Sequence, residues 1–190
     1  MKRVLLYILL GLVVIIGLVS VWPFFVLRRS VRIVRRGFIS YLPALLLFAG
    51  DWYTKRIATD QLCGLLPKPL LGSLLGLEYT KNFGAAFGIF QRQQWLFIAV
   101  ALSAIIILFI LSCDCSHKPA YLKLAYGCLL GGALGNLADR LSWGYVIDFI
   151  HLRGFPIFNL ADLSIDIGLV LIFWYILREK KEVKFASDPV

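Results

Sequence analysis

Apolar residues along this chain fall in long unbroken blocks, with little of the two-residue alternation of a strand or the one-sided stripe of a surface helix. Five blocks reach or approach the ~20 residues that a bilayer-spanning helix needs. They cover residues 4–27, 38–57, 95–113, 124–137 with its flanks, and 158–177. Between the first two lies Arg28-Arg-Ser-Val-Arg-Ile-Val-Arg-Arg36, with five Arg and no acid, and four of the seven residues from Arg178 to Lys184 are basic. Short loops this rich in Lys and Arg stay on the cytoplasmic side. An even number of crossings then separates them, and the blocks from Phe38 onward supply four. The pattern predicts an all-α membrane protein with a four-helix transmembrane core and a cytoplasmic C-terminus. Residues 51–94 and 139–162 fall on the outer face. The outer segment differs in texture: Pro67-Lys-Pro69 punctuates it, and Leu77-Glu-Tyr-Thr-Lys-Asn82 reads as a short strand before Gly84 and Gly88. A small sheet on the outer membrane surface is expected.

Residues 4–27 form an additional predicted N-terminal hydrophobic helix. Lys2-Arg3 ahead of an apolar run also resembles a secretory signal peptide. The run is too long for an ordinary signal core, however, and no A-x-A-type cleavage site follows it. A misplaced start codon is the rival explanation. The expected organisation is residues 1–37 as hydrophobic extension and Arg-rich loop, 38–177 as the functional domain, and 178–190 as a basic tail.

Composition agrees with lipid as the solvent. Of 190 residues, 60% are hydrophobic and 16% charged, against about 45–50% apolar and 25% charged in soluble domains. A soluble enzyme, a disordered tail and a secreted disulfide scaffold are excluded. The formal charge of +9 would point to nucleic acid in a soluble protein; here the basic residues sit where membrane topology requires them. Cys63, Cys113, Cys115 and Cys128 form no CxxC pair and read as small buried hydrophobes. Cys113-Asp-Cys115 is too closely spaced for the usual zinc site. No metal and no cofactor is expected.

The informative residues are carboxylates inside or beside the spans, where an ionisable group marks function by default. Asp51 lies 13 residues beyond Phe38, about 20 Å along a helix, in the outer third of the core. Asp139 and Asp148 flank the outer end of the third span, and Asp162 and Asp166 open the last span from the same side. All five are predicted at one depth, near the outer leaflet. Asn136, Arg140 and Asn159 accompany them, and Gly131-Gly-Ala-Leu-Gly135 lets backbones approach closely. Two apposed carboxyls cannot both ionise comfortably, so one proton is shared. The charged member can take a proton from water while the neutral one donates to a carbonyl oxygen, as in aspartic proteases. No G-x-S-x-G, H-E-x-x-H or P-loop pattern occurs. The residues alone do not choose the pair among the five.

Five blocks in order, Asp51-Trp-Tyr-Thr-Lys55, Asn82-Phe-Gly-Ala-Ala-Phe87, Gly131-Gly-Ala-Leu-Gly-Asn-Leu-Ala-Asp-Arg140, Val146-Ile-Asp-Phe-Ile150 and Phe158-Asn-Leu-Ala-Asp162, closely resemble the lipoprotein signal peptidase (signal peptidase II) family of bacterial membrane aspartic proteases. The resemblance covers residues 38–177. It implies four transmembrane helices with a small extracytoplasmic β-cradle in the bacterial cell membrane, and a catalytic dyad at Asp148 and Asp162. Asn136 and Arg140 look like the family's substrate-contacting and dyad-supporting residues, and Asn159 like its dyad neighbour. Asp51, Lys55 and Asn82 match the remaining polar positions, with Asp51 and Lys55 expected as a supporting ion pair and Asp139 in the supporting set. The implied reaction hydrolyses the bond before the diacylglyceryl-cysteine of prolipoproteins, in a monomer that has membrane lipid as its other partner.

Two features depart from the family pattern, the N-terminal extension and Asp166. Asp166 is expected either to face the bundle near the dyad or to pair with a neighbour such as Lys55. The reading from another class is a small proton- or ion-coupled transporter subunit, which predicts carboxylates spread through the membrane depth.

Overall fold

The computed structural model describes residues 41–84, 93–113 and 118–187. The predicted N-terminal helix and the Arg-rich loop lie outside the described residues. In chain order the elements are α1 (residues 41–62), β1 (Lys68–Leu71), β2 (Leu75–Asn82), α2 (Gln94–Cys113), α3 (Ala120–Trp143), β3 (Val146–Leu152) and α4 (Leu160–Ser187). Among the described residues, two helices are long and apolar enough to cross a membrane, over Gln94–Ser112 and Leu160–Glu179. α1 and α3 carry the polar residues that lower their apolar average. Those residues stay helical because their side chains find partners inside the protein.

Helix α3 is the pivot, and its glycines show how. A Cβ at Gly131 would stand 2.7 Å from the Ala44 carbonyl oxygen and 2.9 Å from Leu47 Cβ, both on α1. One at Gly132 would meet Ser164 Oγ at 2.5 Å and Ile165 on α4. The approach is reciprocal: a Cβ at Gly168 of α4 would stand 2.6 Å from Leu129 Cγ. Without a water-driven hydrophobic effect between helices, close backbone approach supplies the packing, so the glycine run lets α3 contact α1 and α4 at once. α3 ends at Gly144, whose left-handed φ of 75° places its N–H 3.1 Å from the Arg140 carbonyl. That conformation favours glycine, and the chain leaves it directly into β3.

The three strands form one antiparallel sheet in the order β1-β2-β3. Phe149 of β3 packs on Ala58 and Leu62 at the end of α1, with Leu77, Tyr79 and Ile150 around them. The sheet is therefore seated on the end of α1 that leads into it. Beyond β3 the chain turns, Phe158 bridges back to Ile150, and α4 begins. The sequence pattern places only Leu77–Asn82 in a strand. Strand β3 is an addition to it, and it carries Asp148.

Candidate active site

Asn159 is fully buried and is the cap of α4. Its Oδ1 accepts from the Asp162 backbone N–H at 2.9 Å, and its own N–H donates to Asp162 Oδ2 at 3.2 Å. This reciprocal pair is the capping-box geometry, spelled in the sequence as Asn159-Leu-Ala-Asp162. The cap thus sets the Asp162 carboxyl at the first turn of the helix, where the helix dipole favours negative charge. The Asn159 side chain also donates to Asp148 Oδ1 at 2.7 Å and to Asn136 Oδ1 at 3.1 Å. One residue therefore links the two carboxyls, through its side-chain amide to the strand acid and its backbone N–H to the helix acid.

Each carboxyl has a second amide donor. Asn82 Nδ2 donates to Asp148 Oδ2 at 2.9 Å. The β2–β3 register explains it: Thr80 lies opposite Asp148 and Asn82 opposite Val146, so Asn82 and Asp148 are diagonal neighbours on one face. Asn136 Nδ2 donates to Asp162 Oδ1 at 2.7 Å. Asp148 is 2% exposed. Burial first, and then the Asp162 charge beside it, push its carboxyl up to about 7, against the opposing hydrogen bonds from Asn82 and Asn159 and the more distant Lys55 charge.

Behind the two acids lies a second buried cluster centred on Lys55. Its Nζ stands 2.7 Å from Asp51 Oδ2 and 2.9 Å from Asp139 Oδ2, and donates to Asn136 Oδ1 at 3.1 Å. Because Lys55 has only donors to offer, it fixes which end of the Asn136 amide faces it. The Asn136 NH2 is left pointing at Asp162. The cluster also stitches elements together: Asp51 Oδ1 accepts the Ala161 N–H of α4 at 2.8 Å, and Asp139 Oδ2 accepts the Ile147 N–H of β3 at 3.0 Å. Gly135 makes room for this, since a Cβ there would stand 3.1 Å from Asp51 Cγ and 3.3 Å from Ala161 Cβ. Asp51 is pinned from two sides and cannot retreat. Gly135→Ala is therefore expected to destabilise the protein by about 1–3 kcal/mol, the usual cost of overpacking, seen as a lower melting midpoint in detergent. An unchanged midpoint would mean that α3 and α1 have more slack than this contact allows.

Eight of the ten polar residues singled out from the sequence thus meet in one continuous network: Asp51, Lys55, Asn82, Asn136, Asp139, Asp148, Asn159 and Asp162. Arg140 stands at its edge. Its Nη1 donates to the Asn136 carbonyl at 3.3 Å and its guanidinium lies 5.0 Å from the Phe97 ring centroid. It forms no ion pair with Asp148 or Asp162. Asp166 departs from the expectation that it faces the bundle near the dyad or pairs with Lys55. It is exposed on the outward side of α4, and Lys55 is already held by Asp51 and Asp139. Sequence reasoning missed the backbone N–H groups of Ala161 and Ile147, which carry no side-chain signal, and the capping box at 159–162, which does. Among the described residues, no three His, Cys, Asp or Glu side chains are arranged to hold a metal ion.

The helices, the small sheet and the acid–amide network together define a membrane enzyme. A solved structure described as a bacterial membrane enzyme matches with a TM-score of 0.70 at 30% identity, covering 80% of this chain and 93% of that one. A second of the same description gives 0.67 at 31%, covering 73% and 92%. The family model for signal peptidase (SPase) II matches residues 43–178, and the chain belongs to that family. The lipoprotein signal peptidase of Moorella thermoacetica is 42% identical over 137 residues, 72% of this chain and 91% of that protein. That of Halothermothrix orenii is 34% identical over 141 residues, 74% and 97% of the two chains. These relatives lend no support to the transporter reading.

Proposed function

We propose that this chain is a membrane aspartic endopeptidase that removes the signal peptide from prolipoproteins, with Asp148 and Asp162 as the acid pair. The observation that carries the reading is that Asn159 joins both carboxyls, its side-chain amide donating to Asp148 on a strand and its backbone N–H donating to Asp162 at a helix start. Asp148 carries the shared proton, because its buried site disfavours charge. Asp162 acts as the base: two N–H donors hold its carboxyl oxygens in place at the start of α4. It takes a proton from a water whose oxygen attacks the scissile carbonyl carbon, while Asp148 gives its proton to the carbonyl oxygen. Collapse of the resulting diol returns a proton to Asp148, and Asp162 passes the other to the leaving amine. The products are the signal peptide with a free carboxylate and a mature protein whose N-terminal residue is the diacylglyceryl-cysteine. No step calls for a metal or a cofactor.

The same reading places residues 38–177 as the catalytic part with four membrane crossings, the sheet outside and residues 178–190 inside. A single copy suffices, since both acids come from one chain. The purified full-length protein in detergent is expected to release the signal peptide from a lipid-modified prolipoprotein and to leave the unmodified precursor uncut. Equal cleavage of both, or of neither, would count against the assignment.

The acid role of Asp148 sets the pH behaviour. Loss of its proton removes the group that protonates the carbonyl oxygen, so kcat/KM is expected to fall as pH rises through about 7. The Asn82 hydrogen bond favours the charged form of Asp148. Asn82→Ala removes it, so Asp148 keeps its proton to higher pH and the descending limb shifts in the alkaline direction. A descending limb that stays in place while the ascending limb moves to higher pH would reverse the roles of the two carboxyls.

A further inference from the structure

The sheet carries an apolar surface that nothing in the described chain covers. Leu66 is 89% exposed, Phe155 65%, Leu71 63% and Leu74 53%, far from the pattern of a water-facing hairpin. Leu66 follows the end of α1 by four residues and Phe155 precedes α4 by five. On the topology proposed above these helix ends face the outer leaflet, and at no more than about 3.6 Å per residue both side chains stay within about 18 Å of them. The hairpin turn belongs to the same surface, because the Arg153 N–H donates to the Leu74 carbonyl at 2.9 Å and Arg153 Nη1 to Ser73 Oγ at 3.3 Å.

Beside these side chains lies a cavity of about 200 Å³ whose lining includes Pro67, Lys68, Ser73, Gly76 and His151. Lys68 and Ser73 are among the residues that line it, and Arg153 Nη1 donates to the Ser73 hydroxyl. The acid nearby is Glu78, whose Oε2 stands 3.2 Å from His151 Nδ1. Among the described residues neither Lys68 nor Arg153 has a carboxylate within ion-pair distance. Two uncompensated cations next to exposed leucines, at the outer end of membrane helices, match an amphiphile with an anionic head.

We propose that this cavity holds the phosphodiester of an anionic phospholipid from the outer leaflet, with the acyl chains lying against Leu66, Leu71, Leu74 and Phe155. A glycerol-type headgroup adds only hydroxyls near Lys68 and Arg153, whereas a choline headgroup would add a cation to them, so the site selects phosphatidylglycerol over phosphatidylcholine. The bound lipid anchors the sheet that carries Asp148, at a place separate from the acid pair.

The test is native mass spectrometry of the full-length protein in mild detergent, titrated with phosphatidylglycerol or with phosphatidylcholine of the same acyl chains. Phosphatidylglycerol is expected to be retained preferentially. Lys68→Gln and Arg153→Gln should each cut its retention about fivefold, the effect of one basic residue at a membrane surface, and leave phosphatidylcholine unchanged. Leu71→Ser with Leu74→Ser should weaken both lipids alike. No headgroup preference in the wild type, or a preference that survives loss of both cations, overturns the proposal. So does displacement of the lipid by excess inorganic phosphate, which would mark a site for free anions. Prolipoprotein cleavage in detergent by the Lys68→Gln/Arg153→Gln protein should stay at the wild-type level, so the lipid site and the proteolytic reading fail separately.

Discussion

Asp148→Asn and Asp162→Asn are each expected to lower the turnover of a lipid-modified prolipoprotein by at least about 10²-fold, since removing a positioned acid or base commonly costs about 10²–10⁴. Asparagine preserves the volume of each side chain but can neither take a proton from water nor deliver one to a carbonyl oxygen. At Asp148 there is a further effect. Both of its oxygens accept from amide NH2 groups, those of Asn82 and Asn159, so an NH2 in place of either oxygen opposes donor to donor. At Asp162 the same holds for Asn136 and the Asn159 backbone. The loss should appear in kcat, with substrate affinity and the melting midpoint changed far less. Near-normal turnover by either variant would remove that residue from the pair. Loss of turnover together with a collapsed midpoint would point to a structural role instead. Asp139 offers the contrast within the same network. It faces Lys55 and the Ile147 N–H rather than the acid pair, and its substitution should act through stability.

How much of this arrangement the sequence carried depends on the range of each interaction. Helices α2 and α4 are legible because each is a single continuous segment long and apolar enough to cross a bilayer. Asp51 and Lys55 were legible as neighbours because they lie one helical turn apart, whereas Lys55 and Asp139 are joined only by the way α3 packs against α1. Strand β3 was hidden: Val146-Ile-Asp-Phe-Ile-His-Leu152 is an apolar run with one acid, seven residues long, and neither period shows in it. What makes it a strand is the Gly144 turn that ends α3 two residues earlier and the non-local pairing with β2. Asp166 shows the opposite error. Four residues from Asp162, it was grouped with the cluster on spacing alone. Four residues advance a helix by about 40° beyond a full turn, however, and Asp162 already sits at the edge of the buried face, so the extra rotation carries Asp166 outward. The choice of Asp148 over Asp51 or Asp139 came from resemblance, because charge pattern contains no information on which acids an asparagine 11 residues away will join.

The same geometry makes Lys55 the most consequential residue that takes no part in the proposed proton transfers. Lys55→Met is expected to cost about 3–5 kcal/mol, the range for breaking a buried ion pair by removing one partner. The reason is what remains: Asp51 and Asp139 are 1% and 7% exposed, and without the ammonium they form two like charges away from water. Arg56 supplies the comparison one position along the same helix. Its ion pair with Asp60 has both side chains more than half exposed, and pairs of that kind contribute about 0–1 kcal/mol, so Arg56→Met should leave the melting midpoint nearly unchanged. Pairing Lys55→Met with Asp51→Asn and Asp139→Asn removes the stranded charges and should recover most of the stability. It should not recover full turnover, because the Asn136 oxygen then keeps only the Asn159 donor and the amide is held less firmly toward Asp162. Recovery of both would show that the ammonium serves only to neutralise its two acids. Recovery of stability alone would show that it also aims an amide at the residue proposed to activate water.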